Sequence, residues 1–383
     1  MSEVKIVVEA GQRPTVFCPV SVELDLPAEQ AATMALVDER SGAAVPCQVE
    51  QAGDGCRLHW IIGSAAAGQT RRYTLTGGEE PSEANEVDLV EKDDKLEVRI
   101  GGEGFSNFFF GSDLARPVLY PIIGPFGHGV TRAYPMEIIE DDHTDHPHHK
   151  SVWVAWGDVN GSDNWSEVEG HGTVVHRGFD DYSGGAVFAA IASRNDWLDV
   201  DGKKLMEDSM VYRIYNLPDT MRLVELDIAF TATEGDVRFG DTKEGGICSV
   251  RVAAPMEADR TGKIENAYGG VNEAETWGKR APWCDYSGVV EGHHVGVAVF
   301  DHPGNFRYPT YWHVRNYGLM TANPFGLSHF LAPREADGSH VLPEGETLAF
   351  RYGVCVHAGD AAEGRVRDRY LDWIFPPSAQ VAQ

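Results

Sequence analysis

The sequence predicts an all-β protein: a large antiparallel β-sandwich, preceded by a small N-terminal β-sandwich and followed by one C-terminal helix. Strand-like runs recur at modest spacing along most of the chain. No ten-residue helical pattern stands between them, and Gly, Pro, Asn and Asp punctuate the gaps. A chain of 383 residues is long for one core, so a large domain with a smaller attached one is expected, divided as 1–85 and 86–383.

In the first segment, residues 4–8, 16–24 and 72–76 show period-two or compact β-branched patterns. The Asp54-Gly55 step, flanked by 47–50 and 56–62, predicts a hairpin that brings Cys47 and Cys56 opposite each other. Composition turns acidic and polar from Glu79 to Glu97, which places the boundary. The main body offers strands near 95–100, 151–156, 172–176, 186–191, 209–215, 222–230, 247–253, 295–300, 310–315 and 347–356. At the end, Asp360 is positioned to cap a helix whose apolar stripe runs through Val366, Tyr370 and Trp373 or Ile374, with Pro376-Pro377 as the stop.

A net formal charge of −27 repels phosphate backbones and anionic lipid, so nucleic acid and membrane surfaces are poor partners and a neutral small molecule fits better. The start Met1-Ser-Glu-Val-Lys has no export signal pattern, and no window is long and apolar enough for a helical span, so a cytoplasmic protein is expected. The six cysteines lack metal spacing and are read as reduced core residues.

Chemistry concentrates between His143 and Trp165, where four histidines, three tryptophans and several Asp and Asn side chains crowd one stretch. Indoles want burial, and imidazoles beside them then need partners, so this reads as one wall of a cleft. The group His143, Asp145, His146, His148 and His149 supports three readings: metal ligands (His143, Asp145, His146, His148), general acid/base or substrate hydrogen bonding, or a structural knot. No standard metal motif matches, so no cofactor is predicted and a divalent metal stays the alternative. From Trp156 to Trp165, Asp158, Asn160 and Asp163 alternate with glycines between two indoles, a composition suited to sugar hydroxyls and the apolar face of a pyranose.

Downstream, Asp301-His302-Pro303 repeats Asp145-His146-Pro147. Alternation in 311–317 places Tyr311, His313, Arg315 and Tyr317 on one face, wrong for a dry core and suited to a cleft. The turn Gly240–Gly246 carries Lys243 and Glu244, and 277–286 gathers Arg280, Trp283 and Asp285.

At Leu119–Pro125, Asp145–His149, Trp156–Gly161, Gly240–Gly246, Thr276–Tyr286 and Asp301–Gly326 the chain resembles a bacterial family labelled PmoA-like, otherwise a domain of unknown function. The resemblance implies a galactose-mutarotase-like supersandwich and a link to sugar catabolism beside nicotinamide-dependent sugar oxidoreductases. The label's suggestion of a membrane methane monooxygenase subunit does not suit a chain without apolar spans. Mutarotase-like sandwiches pair a catalytic His with a Glu, and Glu244 is the candidate here.

The expected protein is therefore an enzyme acting on a neutral sugar, keto-sugar or glycoside by acid/base chemistry, as lyase or hydratase, hydrolase, or epimerase. His146 or His149 would face His313 or Glu244. Lys243, Arg280 or Arg315 would stabilise an oxyanion. His148, Trp156, Asp158, Asn160, Asp163, Trp165, Trp283, Asp285, His302, Arg307 and Tyr311 would contact substrate. A non-catalytic carbohydrate-binding protein is the second reading.

Overall fold

In the computed structural model, residues 3–78, 86–140, 142–331 and 336–382 are described. The body is a sandwich of two eight-stranded sheets in which every strand pair is antiparallel. The first sheet runs, edge to edge, Tyr311–Arg315, Leu319–Asn323, Gly245–Arg251, Val152–Trp156, Val118–Tyr120, Glu103–Phe109, Lys95–Ile100 and Val87–Glu91. The second runs Thr173–Ser183, Phe188–Leu198, Lys204–Tyr215, Met221–Thr231, Thr347–Ala358, His293–Asp301, Trp283–Val290 and Lys263–Asn266.

Period-two alternation builds the core between them. Val152, Val154 and Trp156 of the first sheet join Tyr212, Leu226, Val297 and Val354 of the second in one buried cluster. The all-β class is as the sequence predicts.

The N-terminal segment forms a five-stranded and a three-stranded sheet around Trp60, Leu36, Leu58 and Leu75. The C-terminal strand Ser378–Val381 completes the five-stranded sheet beside Val4–Glu9, so the two ends of the chain meet. Residues 79–85, where the sequence places the domain boundary, lie outside the described residues.

Three local expectations are corrected. The hairpin pairs Ala52 with Gly55, so its turn is Gly53-Asp54, and Gly53 supplies the positive φ (58°). Cys47 faces Trp60 and Cys56 faces Gln51, so the two thiols are not partners; all six cysteines are buried and none forms a disulfide. The helix Val366–Ile374 buries Val366 and Tyr370 as expected, but its N-cap is Arg365. Asp360 instead accepts the N–H groups of Ala362 (2.9 Å) and Glu363 (3.0 Å) in the preceding turn.

Candidate functional site

Because the core takes alternate residues of the first sheet, the intervening ones share its outward face. Trp153, Ser249, Thr321 and His313 lie in one cross-strand row, and Arg251, Leu319 and Arg315 in the next. The stretch 142–151 folds over this face, and two buried arginines hold it there. The Arg132 guanidinium collects the carbonyl oxygens of His143 (3.3 Å), Asp145 (2.9 Å), His146 (2.8 Å) and His149 (3.1 Å), and also donates to Asp145 Oδ1 (2.7 Å). Five fixed donors on a planar fork make arginine the side chain able to gather such a loop. Arg251 donates to Asp145 Oδ1 (3.1 Å), to Glu257 Oε1 (3.5 Å) and to His149 Nδ1 (3.2 Å), and lies 4.7 Å from the Tyr317 ring centre.

The rings stack in sequence. His149 lies against Trp153 at 5.4 Å, His146 against His149 at 4.8 Å and 6°, and Tyr317 against His146 at 5.1 Å and 12°. Asp145 Oδ2 reaches His146 Nδ1 at 2.8 Å, and both side chains remain 41% exposed. His146 adopts φ +42°, while nearby Ser151 and Glu167 sit at +56° and +53°. Non-glycine residues persist in this region only where surrounding contacts over-determine them. Behind the stack, Arg116 donates to Glu167 Oε1 (2.6 Å) and to the carbonyls of Asn164 and Trp165, and Lys150 bonds the other Glu167 oxygen.

The turn carrying Glu244 is brought to the same face. Gly157 N donates to Glu244 O (2.9 Å), an approach that a Cβ on Gly157 would block, since it would lie 2.4 Å from that oxygen. His313 Nδ1 donates to Lys243 O at 2.7 Å, and the Lys243 ammonium bonds the Glu244 carboxylate.

These surroundings set the charges. Burial, then the Arg116 field, pushes His148 down to about 4. Burial also takes His313 down to about 4, against the opposing pull of Glu244. His149 is held well below the usual imidazole range by burial, then by His148 and Arg251. Burial raises the Asp145 carboxyl, but Arg251, His146 and Arg132 outweigh it and leave it below its usual range. Glu244 behaves likewise: burial raises it, and Lys243, His313 and His148 bring it below its ordinary value. At neutral pH three uncharged imidazoles therefore border two carboxylates.

The structure thus gathers Asp145, His146, His148, His149, Lys243, Glu244, His313 and Arg315 at one face. It does not make a solvent-facing wall of 156–165. Trp156 is sealed in the core with its indole N–H on Gly240 O (3.1 Å), and Trp165 is fully buried beneath His148 and His149. Asp158 accepts from Gly161 N and Arg238, Asn160 accepts from Arg238 N and donates to Asp236 O, and Asp163 caps Trp165 N and Ser166 N. Short polar side chains here satisfy turn backbone.

Other expected contacts are also occupied elsewhere. Arg280 donates to the carbonyls of Pro309, Arg307 and Tyr308 and lies over Tyr311, which stacks on Phe330. Arg307 donates to Pro324 O and Gly338 O. Trp283 is buried in an apolar cluster with Phe300 and Tyr370, on the outward side of the second sheet. Asp285 is sealed against His357 (2.7 Å). His302 Nδ1 accepts from Gly304 N and its ring meets Trp373 edge-on. Arg315 pairs with Glu273 at 3.3 Å.

The alternative metal set does not converge. His143 Nδ1 faces Glu257 (3.1 Å), Asp145 is committed to two arginines, and His148 packs edge-on against His149 and Trp165. Among the described residues, no three His, Cys, Asp or Glu side chains group as metal ligands. Sequence reasoning missed Arg132, Arg251, Arg116 and Glu257. Only Arg251 left a local trace, as a lone charge in the run Ile247-Cys-Ser-Val-Arg-Val252.

A model of a family of unknown function (DUF6807) matches residues 95–370. This corrects the expected PmoA-like membership, and the implied link to nicotinamide-dependent oxidoreductases loses its basis with it. No curated protein matches the chain. Among solved structures, the chain is similar to an alpha-mannosidase from Enterococcus faecalis V583, with 11% identity and a TM-score of 0.45 over 100% of this chain and 46% of that one. The chain spans less than half the length of that protein. No helix among the described residues is long and apolar enough to cross a membrane.

Proposed function

We propose, from the premise that the chain belongs to DUF6807, a family whose function is unknown, that the outward face of the first sheet is an active site for proton transfer on a neutral, hydroxyl-rich molecule of the carbohydrate class. The observation that carries this reading is the Asp145–His146 pair. One carboxylate oxygen holds His146 Nδ1 at 2.8 Å, the other is fixed by Arg132 and Arg251, and the ring is clamped between His149 and Tyr317.

An imidazole oriented through Nδ1 presents Nε2 as the atom that takes or gives a proton. His146, half exposed, suits that role better than His149, which is 1% exposed and holds a proton poorly. Glu244 beside His313 stands as the opposing acid/base group. Lys243, on the same turn as Glu244, is the cation to meet a developing oxyanion, Arg315 being paired with Glu273. His148 and His313, neutral at pH 7, exchange hydrogen bonds with hydroxyls without demanding a charged ligand. The reaction class is lyase or hydratase, hydrolase, or epimerase. We also place the division of the chain near residue 85, with Ser378–Val381 returning to the first unit.

The test is product formation from a panel of neutral glycosides and keto-glycosides by the parent protein, His146→Ala and Asp145→Asn. Turnover by the parent and its loss in both variants is expected. Equal turnover in all three would sink the reading. Binding without turnover in any of them would favour the carbohydrate-binding protein instead.

A further inference from the structure

The second large sheet also carries a polar outward face. Tyr212, Ile214, Leu226 and Ile228 enter the core, so Arg213, Glu225, Asp227 and Arg351 point away from it, with Arg213 opposite Glu225 and Asp227 opposite Arg351. The N-terminal sheets dock over this face and leave a hollow of about 340 Å³ against a neighbouring one of about 630 Å³. The two share Phe17, Val187 and Leu217, so they form one elongated groove between the N-terminal segment and the body. Each volume lies in the range of small-molecule sites.

We infer that this groove is a second ligand site, on the opposite side of the sandwich from the histidine face, and that it takes an unbranched neutral oligosaccharide. Three observations carry the inference.

The first is Phe17. It sits at φ +51°, between Val16, which pairs with Ser64, and Cys18, which pairs with Ile62, and the residue is 37% exposed at the junction of the two hollows. A non-glycine residue in the left-handed region is uncommon and persists where surrounding contacts impose it. The chain is pinned on both sides of it: before it, Asp372 accepts from Thr15 Oγ1 (2.8 Å) and Arg369 donates to Val16 O, and after it, Cys18 Sγ donates to Asp372 O (3.8 Å). The strained conformation is therefore imposed, and it aims an apolar ring into the groove.

The second is charge. The first hollow is lined by four arginines (57, 213, 351, 369) and four acids (50, 225, 227, 372). Arg213 lies between Glu50 (3.6 Å) and Asp227 (3.3 Å), and Arg351 also donates to Asp227 (3.3 Å). An ionic ligand would have to break such a pair, whereas hydroxyls can bridge carboxylate and guanidinium while leaving them paired.

The third is the combination of flat apolar faces with planar polar groups. Trp373 lines the same hollow and donates its indole N–H to Glu225 Oε1 (3.3 Å). Aromatic faces beside paired carboxylates and guanidinia match the alternating C–H and O–H surfaces of a pyranose. Two connected hollows suit a chain of sugar units better than one.

The experiment is calorimetric titration of the 383-residue chain with cellotetraose, maltotetraose, mannotetraose and xylotetraose, with tetragalacturonate as the anionic control. At least one neutral tetrasaccharide should bind in the millimolar range or tighter, and the anionic control more weakly. Phe17→Gly removes the ring while permitting the backbone angle, so it should keep the fold and weaken binding about tenfold. Arg351→Gln, at an exposed side chain, should weaken binding in the same direction, and His146→Ala should leave it unchanged. Absence of binding by all four neutral tetrasaccharides overturns the inference. So does binding that is indifferent to Phe17→Gly and Arg351→Gln, or binding lost in His146→Ala, which would assign the ligand to the histidine face.

Discussion

Asp145-His146-Pro147 and Asp301-His302-Pro303 are the same tripeptide put to opposite uses. In the first, the carboxylate is half exposed, faces two buried guanidinia and bonds the adjacent imidazole. In the second, Asp301 is sealed. It accepts from Asn305 Nδ2 (2.7 Å) and Thr310 N (2.7 Å), and burial pushes its carboxyl up to about 7. His302 turns away from it to Gly304 N and Trp373. Neither difference lies in the tripeptide. Arg132 and Arg251 arrive at the first from distant segments, and among the described residues no cation bonds the second carboxylate. A carboxylate held ionised and accessible is chemically usable, while one held dry by backbone and amide donors is a structural tie.

The largest expected effect separates the two at the level of chemistry. Once a substrate is in hand, His146→Ala and Asp145→Asn should lower kcat/KM by about 10²–10⁴, the usual contribution of a positioned acid or base. Parallel assays of His302→Ala should match the parent protein; a comparable loss there would erase the distinction.

Next in size is stability. Arg251→Met leaves Glu257 and Asp145 each short of a partner, and breaking such a buried arrangement costs about 3–5 kcal/mol. Denaturant unfolding would measure it, and a loss below about 1 kcal/mol would show that Arg132 alone holds the loop.

The two regions should then respond to pH with opposite sign. Asp301 binds its proton more tightly folded than unfolded, so its contribution is full below about pH 4 and is lost as pH rises towards 7. His148 and His313 bind theirs more weakly folded, so their contribution is full above about pH 6.5 and is lost as pH falls towards 4. Unfolding midpoints across pH 4–8 should show Asp301→Asn flattening the fall with rising pH. His313→Asn, which retains a donor for Lys243 O, should flatten the fall on the acid side. Unchanged slopes would contradict these assignments. The smallest effect is His302→Ala on stability, expected within about 1 kcal/mol because only a turn N–H and a ring edge are lost.

Much of the fold was legible because alternation is a local property. Residues 151–156 and 310–315 announce two faces, and the absence of helical periodicity between strands excludes layers of helix. The density of imidazoles in 143–149 marked the candidate site for the same reason. The tryptophans misled, because a buried indole under a site and an exposed indole lining one have the same sequence signature: Trp165 supports His148 and His149 from below. The Asp and Asn residues between Trp156 and Trp165 misled because turn backbone and sugar hydroxyls ask for the same donors and acceptors.

The sequence by itself determined the all-β architecture, the segment in which the imidazoles gather and the His313 face, all of which follow from the two-residue period of a strand. Only the tertiary structure decided which carboxylate stays ionised, which imidazole reaches solvent and which tryptophans are sealed. Those outcomes depend on pairings such as Val152 with Val250 and Asp145 with Arg251, about a hundred residues apart. Burial and Coulombic contact act through space, and nothing in local composition encodes who the neighbours will be.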